Sequence, residues 1–81
     1  MNIRFSYQAE GDLGKLPFGT QIRIRDKVRF FMEQENIFVF AKYIALKKCY
    51  RFRVGKHRLK FVIENHEAKI IEIDPRDKAY D

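Results

Sequence analysis

One cysteine, two prolines and four glycines are all that these 81 residues hold of the types that staple or break a chain. The lone Cys49 cannot form an internal disulfide and has no metal-type spacing with His57 or His66, so neither a disulfide framework nor a metal site is expected. No apolar run reaches the length of a signal-peptide core or a membrane span, which points to a cytoplasmic protein that does not insert into membrane. Internal repeats, low-complexity tracts and linkers are also missing, and a single domain over residues 1–81 is expected. A domain this short buries only about 60% of its unfolded surface, so a large partner interface would help to stabilise it. Acidic residues are the remaining shortage. Eleven Asp and Glu stand against 17 Lys and Arg, a net charge of +6, which predicts attraction to anionic partners such as nucleic acid or acidic proteins.

The cations that matter most are grouped in residues 50–61. Tyr50-Arg51-Phe52-Arg53-Val54 and His57-Arg58-Leu59-Lys60-Phe61 both alternate apolar and polar side chains, and Gly55-Lys56 between them suits a two-residue II′ turn. Folding there sets Val54 opposite His57, Arg53 opposite Arg58, Phe52 opposite Leu59, Arg51 opposite Lys60 and Tyr50 opposite Phe61. One face of this hairpin is then core and the other cationic. Like charges directly opposite on a sheet cost up to roughly 1 kcal/mol per pair. Two such pairs ask for an anion, either phosphate or carboxylates.

The rest of the chain supplies a scaffold. Ile3, Phe5 and Tyr7 alternate in a first strand that ends near Ser6, a good helix cap. Ala9, Leu13 and Leu16 then form the stripe of a short helix, which Gly11 and Gly14 weaken and Pro17 and Gly19 close. A longer helix from Thr20 to about Gln34 turns Ile24, Val28, Phe31 and Met32 inward, with Arg23, Arg25, Lys27 and Arg29 mostly outward. Residues 36–46 fit either a short strand or an apolar loop, because periodicity does not decide over so few residues. After the hairpin, Asn65-His66 marks a turn before a strand through Ile70, Ile71 and Ile73 whose inward face is ambiguous, and Asp74-Pro75 is expected to break it. The predicted fold is α+β, in the order β-α-α-β-β-β, with a two-helix hairpin on one face of a small, mainly antiparallel sheet.

Residues 50–61, followed by Ile71-Glu72-Ile73-Asp74-Pro75-Arg76-Asp77-Lys78-Ala79-Tyr80, resemble the second half of the RelE/ParE toxin superfamily. The opening strand, the segment Ala9 to Pro17 and the basic helix resemble its first half. The resemblance implies the toxin of a toxin–antitoxin pair, held inactive by an acidic antitoxin. RelE-like members enter the ribosomal A site and cut messenger RNA, whereas ParE-like members inhibit DNA gyrase. A degenerate member that no longer poisons cells is a third reading. By the same resemblance, Arg51 and Arg53 lie where RelE-like ribonucleases carry basic residues, Arg58 where they carry the arginine on the scissile phosphate, Arg76 at the terminal basic motif and Tyr80 at the closing aromatic. The chain departs from the pattern in its short tail, in Asp74-Pro75 where many relatives have glycine and histidine, and in Ala45 where glycine is common.

Metal-free RNA cleavage needs a 2′-hydroxyl in line with its phosphate, stabilisation of the phosphorane charge, and proton transfer at both ends. No cofactor is expected. Arg53 and Arg58 suit charge stabilisation, because guanidinium groups bind phosphate oxygens bidentately and keep their charge. A solvated face, or ion pairs with Glu64 and Glu72, is the simpler alternative. Tyr80 suits proton transfer or base stacking, against packing on the sheet edge. Lys60 adds to the RNA-binding face, and Arg23, Arg25, Lys27 and Arg29 are candidate contacts to ribosomal RNA phosphates or else a solvated helix face. Strand parity turns His57 to the core side, away from the arginines, and Cys49 reads as a small buried filler. Ile37, Phe38, Val39, Phe40 and Tyr43 exceed what a loop needs and suit either core packing or a partner surface.

Overall fold

The computed structural model describes residues 1–75. Its elements are β1 (Asn2–Phe5), α1 (Tyr7–Gly14), α2 (Phe18–Met32), β2 (Lys42–Ile44), β3 (Cys49–Val54), β4 (His57–Glu64) and β5 (Glu67–Pro75), with single 3-10 turns at Ile37–Val39 and Ala45–Lys47. The sheet runs β1-β5-β4-β3-β2, parallel between β1 and β5 and antiparallel elsewhere. The expected β-α-α-β-β-β order is present. The stretch left undecided by periodicity adds a three-residue edge strand, β2, between the two 3-10 turns.

Ser6 caps α1, its Oγ accepting from the Ala9 N–H at 3.1 Å. The same hydroxyl donates to the Ile71 carbonyl at 3.2 Å, and the Ser6 N–H donates to the Ile70 carbonyl at 2.8 Å. These bonds matter because β1 pairs with β5 only as far as Phe5 opposite Ile70. Further along, the Ile73 N–H donates to the Asp12 carboxylate of α1 at 3.0 Å. An eight-residue helix containing two glycines is marginal alone,. Here it is held by buried Ala9 and Leu13 and by covering the flank of β5 that β1 does not reach. That flank carries no strand, so β5 continues through Pro75 instead of breaking at Asp74-Pro75 as expected,. The long helix α2 starts two residues earlier than expected and buries Ile24, Val28 and Met32, with Phe31 partly buried beside them.

The inward face of β5 is settled by a bulge. Lys60 pairs with Glu72 but Phe61 pairs with Ile70, so one extra residue is inserted opposite the Lys60–Phe61 step,. Ile70 and Ile73, three apart, therefore both reach the core, and Ile71 is only partly buried. Alternation cannot show this where two isoleucines, Ile70 and Ile71, stand side by side.

Both hairpin turns obey strand twist. Gly55 has φ of 59° while Lys56 stays in the ordinary negative region, which is the II′ pattern that only glycine adopts without strain,. Asn65 and His66 have φ of 52° and 62°, a type I′ pattern. Asparagine tolerates this conformation, but histidine is poorer there than glycine. His66→Gly is accordingly expected to stabilise the domain by about 0.5–1 kcal/mol, raising the thermal midpoint by roughly 2–8 °C in a domain of this size. Thermal unfolding followed by circular dichroism checks it, and a lowered midpoint would show that His66 makes a contact worth more than its backbone strain.

Candidate functional site

All five predicted pairs of the β3–β4 hairpin are present, with Arg53 opposite Arg58 and Arg51 opposite Lys60. Phe52, Val54, Leu59 and Phe61 point to the helices and join the core, which leaves the four cations on the opposite face,. The third strand extends each pair into a row. Lys60 is opposite Glu72 and Arg58 opposite Asp74, so the rows read Arg51-Lys60-Glu72 and Arg53-Arg58-Asp74. The cationic face thus carries carboxylates of its own on β5. Of the two expected counterions, Glu72 is in place, whereas Glu64 lies exposed at the far end of β4. Asp74 is the one the strand break concealed.

Lys60 is the centre of this network. Its ammonium donates to Glu72 Oε1 at 3.2 Å and to Asp74 Oδ2 at 3.1 Å, and the residue is only 8% exposed. Burial alone lowers its pKa, but the hydrogen bonds to Asp74 and Glu72 outweigh burial and hold it above the ordinary 10.5,. A lysine raised in the folded state gives its full stabilisation below the unfolded value, about 10.4, and loses it as pH rises through the folded value. Urea unfolding is therefore expected to show wild-type stability falling above about pH 10.5 more steeply than that of Lys60→Met. At pH 7 the variant should lose about 1–3 kcal/mol, the cost of leaving two carboxylates without their shared donor. Both carboxylates keep part of their surface in water, which holds the loss below that for a fully buried ion pair,. Equal alkaline slopes for the two proteins would remove Lys60 from this role.

A cleft of about 490 Å³ opens on this face. Arg51, Arg58 and Lys60 line it, with Asp74 from β5 and Lys42 and Lys47 from the segment that carries β2 and the second 3-10 turn. Five cationic side chains thus face one carboxylate. Arg58 is 5% exposed despite its charge, so its guanidinium is held by the sheet instead of waving in solvent. Arg53 is exposed and lines a separate depression beside Arg51, Phe31 and Phe40.

Neither a protein-family model nor a curated protein matches the sequence. Solved structures do match. A chain of the toxin–antitoxin complex RelBE2 from Mycobacterium tuberculosis superposes with a TM-score of 0.80 at 24% identity, over 93% of this chain and 96% of that one. A chain of the archaeal RelE–RelB complex from Pyrococcus horikoshii OT3 superposes with a TM-score of 0.71 at 22% identity, over 96% of this chain and 97% of that one. The chain has the RelE-like fold.

In this RelE-like fold the cleft and the helices lie on opposite sides of the sheet, so Arg23, Arg25, Lys27 and Arg29 are not brought to the cleft. Arg25 pairs with Glu10 at 2.8 Å and lies 5.0 Å from the centre of the Phe5 ring. Arg29 approaches Asp26 at 3.5 Å. Arg23 and Lys27 border a depression on the outer face of α2 with Ile22 and Phe30. Arg76 and Tyr80 fall outside the described residues. His57 lies on the Val54 side as expected, and Cys49 is buried. Lys42 and Lys47, which line the cleft, were missed because Lys42 belongs to the undecided stretch and Lys47 lies just past its end, before the hairpin. Their only sequence signal is that they flank the hairpin. Among the described residues there is no cluster of three His, Cys, Asp or Glu side chains that could hold a metal, and no helix long and apolar enough to cross a membrane.

Proposed function

We propose that this chain is the toxin of a toxin–antitoxin pair and acts as a ribosome-dependent endoribonuclease on messenger RNA in the A site. The observation that carries this reading is the cleft where Arg51, Arg58 and Lys60 converge with Lys42 and Lys47. Sheet-held arginines suit a phosphate that gains charge in its transition state, because their field needs no reorganisation as the reaction proceeds. In the proposed step a ribose 2′-oxygen bonds to the adjacent phosphorus and the bond to the 5′-oxygen breaks. The 2′-hydroxyl loses its proton and the departing oxygen gains one, giving a 2′,3′-cyclic phosphate and a 5′-hydroxyl. Arg58 holds the phosphate, Arg51 and Lys60 neutralise its surroundings, and Arg53, Arg76 and Tyr80 complete the set that the family resemblance suggests. The net charge of +6 suits an acidic antitoxin as the inhibiting partner,.

The test is mapping of 5′ ends on a defined messenger RNA incubated with translating ribosomes and purified protein. Cuts inside A-site codons that need ribosomes would support the reading. Absence of cuts from folded protein would overturn it, and inhibition of DNA gyrase supercoiling in the same preparation would replace it with the ParE-like reading.

A further inference from the structure

The walls of the cleft differ in chemistry. Its floor is cationic, with Arg51, Arg58 and Lys60, and Asp74 beside them. One wall is apolar, made by Ile44, Ala45 and Leu46 at the end of β2 and the start of the second 3-10 turn. Leu46 is 94% exposed, so it packs on almost nothing in the free protein. A single exposed leucine is ordinary by itself. The backbone that presents this one is fixed in a closed turn. The turn closes through the Lys48 N–H, which donates to the Ala45 carbonyl at 3.2 Å, with Lys48 in the left-handed region at φ of 54°. Its apolar neighbours Ile44 and Ala45 line the same cleft, next to the buried cations of β4.

An apolar wall over a cationic floor matches a nucleotide, which is itself divided into a flat apolar base and an anionic phosphate. The volume, about 490 Å³, lies within the range of small-ligand sites, roughly 300–1,000 Å³. We propose that Leu46 is a base platform, covering the face of the nucleobase whose phosphate lies on Arg58. This rests on the RNA-cleaving reading above and adds a positioning residue to it. The wall side chains carry no hydrogen-bonding group, so they grip the base by its face and do not read its edge. The subsite therefore tolerates any base and favours purines through their larger area.

The test uses two fluorescein-labelled RNA hexamers of equal charge, hexaadenylate and a hexamer of abasic ribose phosphates, bound to the full chain at low salt and followed by anisotropy. Wild type is expected to bind hexaadenylate about fivefold more tightly than the abasic hexamer, the effect of covering roughly half a leucine side chain. Leu46→Ser should bind the two equally while melting at the wild-type temperature. Arg58→Gln should weaken both by the same factor. A Leu46→Ser protein that keeps the full preference overturns the platform, and so does wild type that shows no preference or binds neither hexamer, which would leave the wall to an acidic peptide. The ribosomal mapping separates this from the underlying reading. Base preference without ribosome-dependent cuts would leave the platform standing and remove the ribonuclease. Cuts by wild type with an unaltered preference in Leu46→Ser would do the reverse.

Discussion

Under the ribonuclease function proposed above, Arg58→Ala is expected to lower the single-turnover rate of ribosome-dependent cleavage by about 10²- to 10³-fold, the usual cost of removing one preorganised donor from a charged transition state. The residue sits near the start of β4, the central strand of the sheet, between Arg53 on β3 and Asp74 on β5. Its burial means that little side-chain entropy remains to be lost when it meets a phosphate,. Arg58→Lys keeps the charge but loses the planar fork, and should remain at least about tenfold below wild type. A buried cation also contributes to the fold, and its removal disturbs the row that ends in Asp74. Rates should therefore be set against the folded fraction of each variant from urea unfolding. A folded Arg58→Ala protein that cuts at the wild-type rate would remove Arg58 from the reaction.

What was legible in the sequence, and what was not, follows from how many residues each signal spans. The β3–β4 hairpin was read to its register because ten alternating residues and a Gly55 turn agree, and a one-residue slip would put every arginine into the core. The inward stripe of α2 was read for the same reason, with Ile24, Val28 and Met32 spaced at whole turns,. By contrast, the face of β5 depends on a bulge, which shifts parity by one residue and leaves no mark in a run such as Ile70-Ile71. Residues 37–47 fold into two 3-10 turns and a three-residue strand, each too short to show a period. One wall of the cleft comes from the end of this stretch, so Lys42, Leu46 and Lys47 escaped notice while Arg51, Arg58 and Lys60 did not. Asp74 was hidden by its neighbour. A proline commonly ends a strand, but on a flank with no partner strand it removes no ladder bond, and Asp74 remains in register to meet Lys60,.

Phe61→Ala is expected to cost about 3–5 kcal/mol, a large share of the roughly 4–12 kcal/mol available to a domain of this length. Phe61 is completely buried on β4. Its ring stacks on Tyr50 at 5.3 Å and meets Phe52 edge-on at 5.5 Å. From these two the aromatic contacts run outward, from Phe52 to Phe31 and Phe40 and from Tyr50 to Phe38 and Tyr43. Phe61 is thus the inner end of a chain of rings that secures the segment carrying β2 to the core, and its loss opens a cavity that β-sheet geometry cannot close. Phe61→Leu fills more of the space and should lose only about 1–2 kcal/mol. The consequence for the site follows from strand alternation. Lys60 is the neighbour of Phe61 on the opposite face, at the bulge, so the ring behind the sheet fixes where the ammonium meets Glu72 and Asp74. Urea unfolding of the two variants checks the stability order. A Phe61→Ala protein within about 1 kcal/mol of wild type would mean that the core closes around the missing ring, and that the cationic face is held from the front by its own carboxylates instead of from behind.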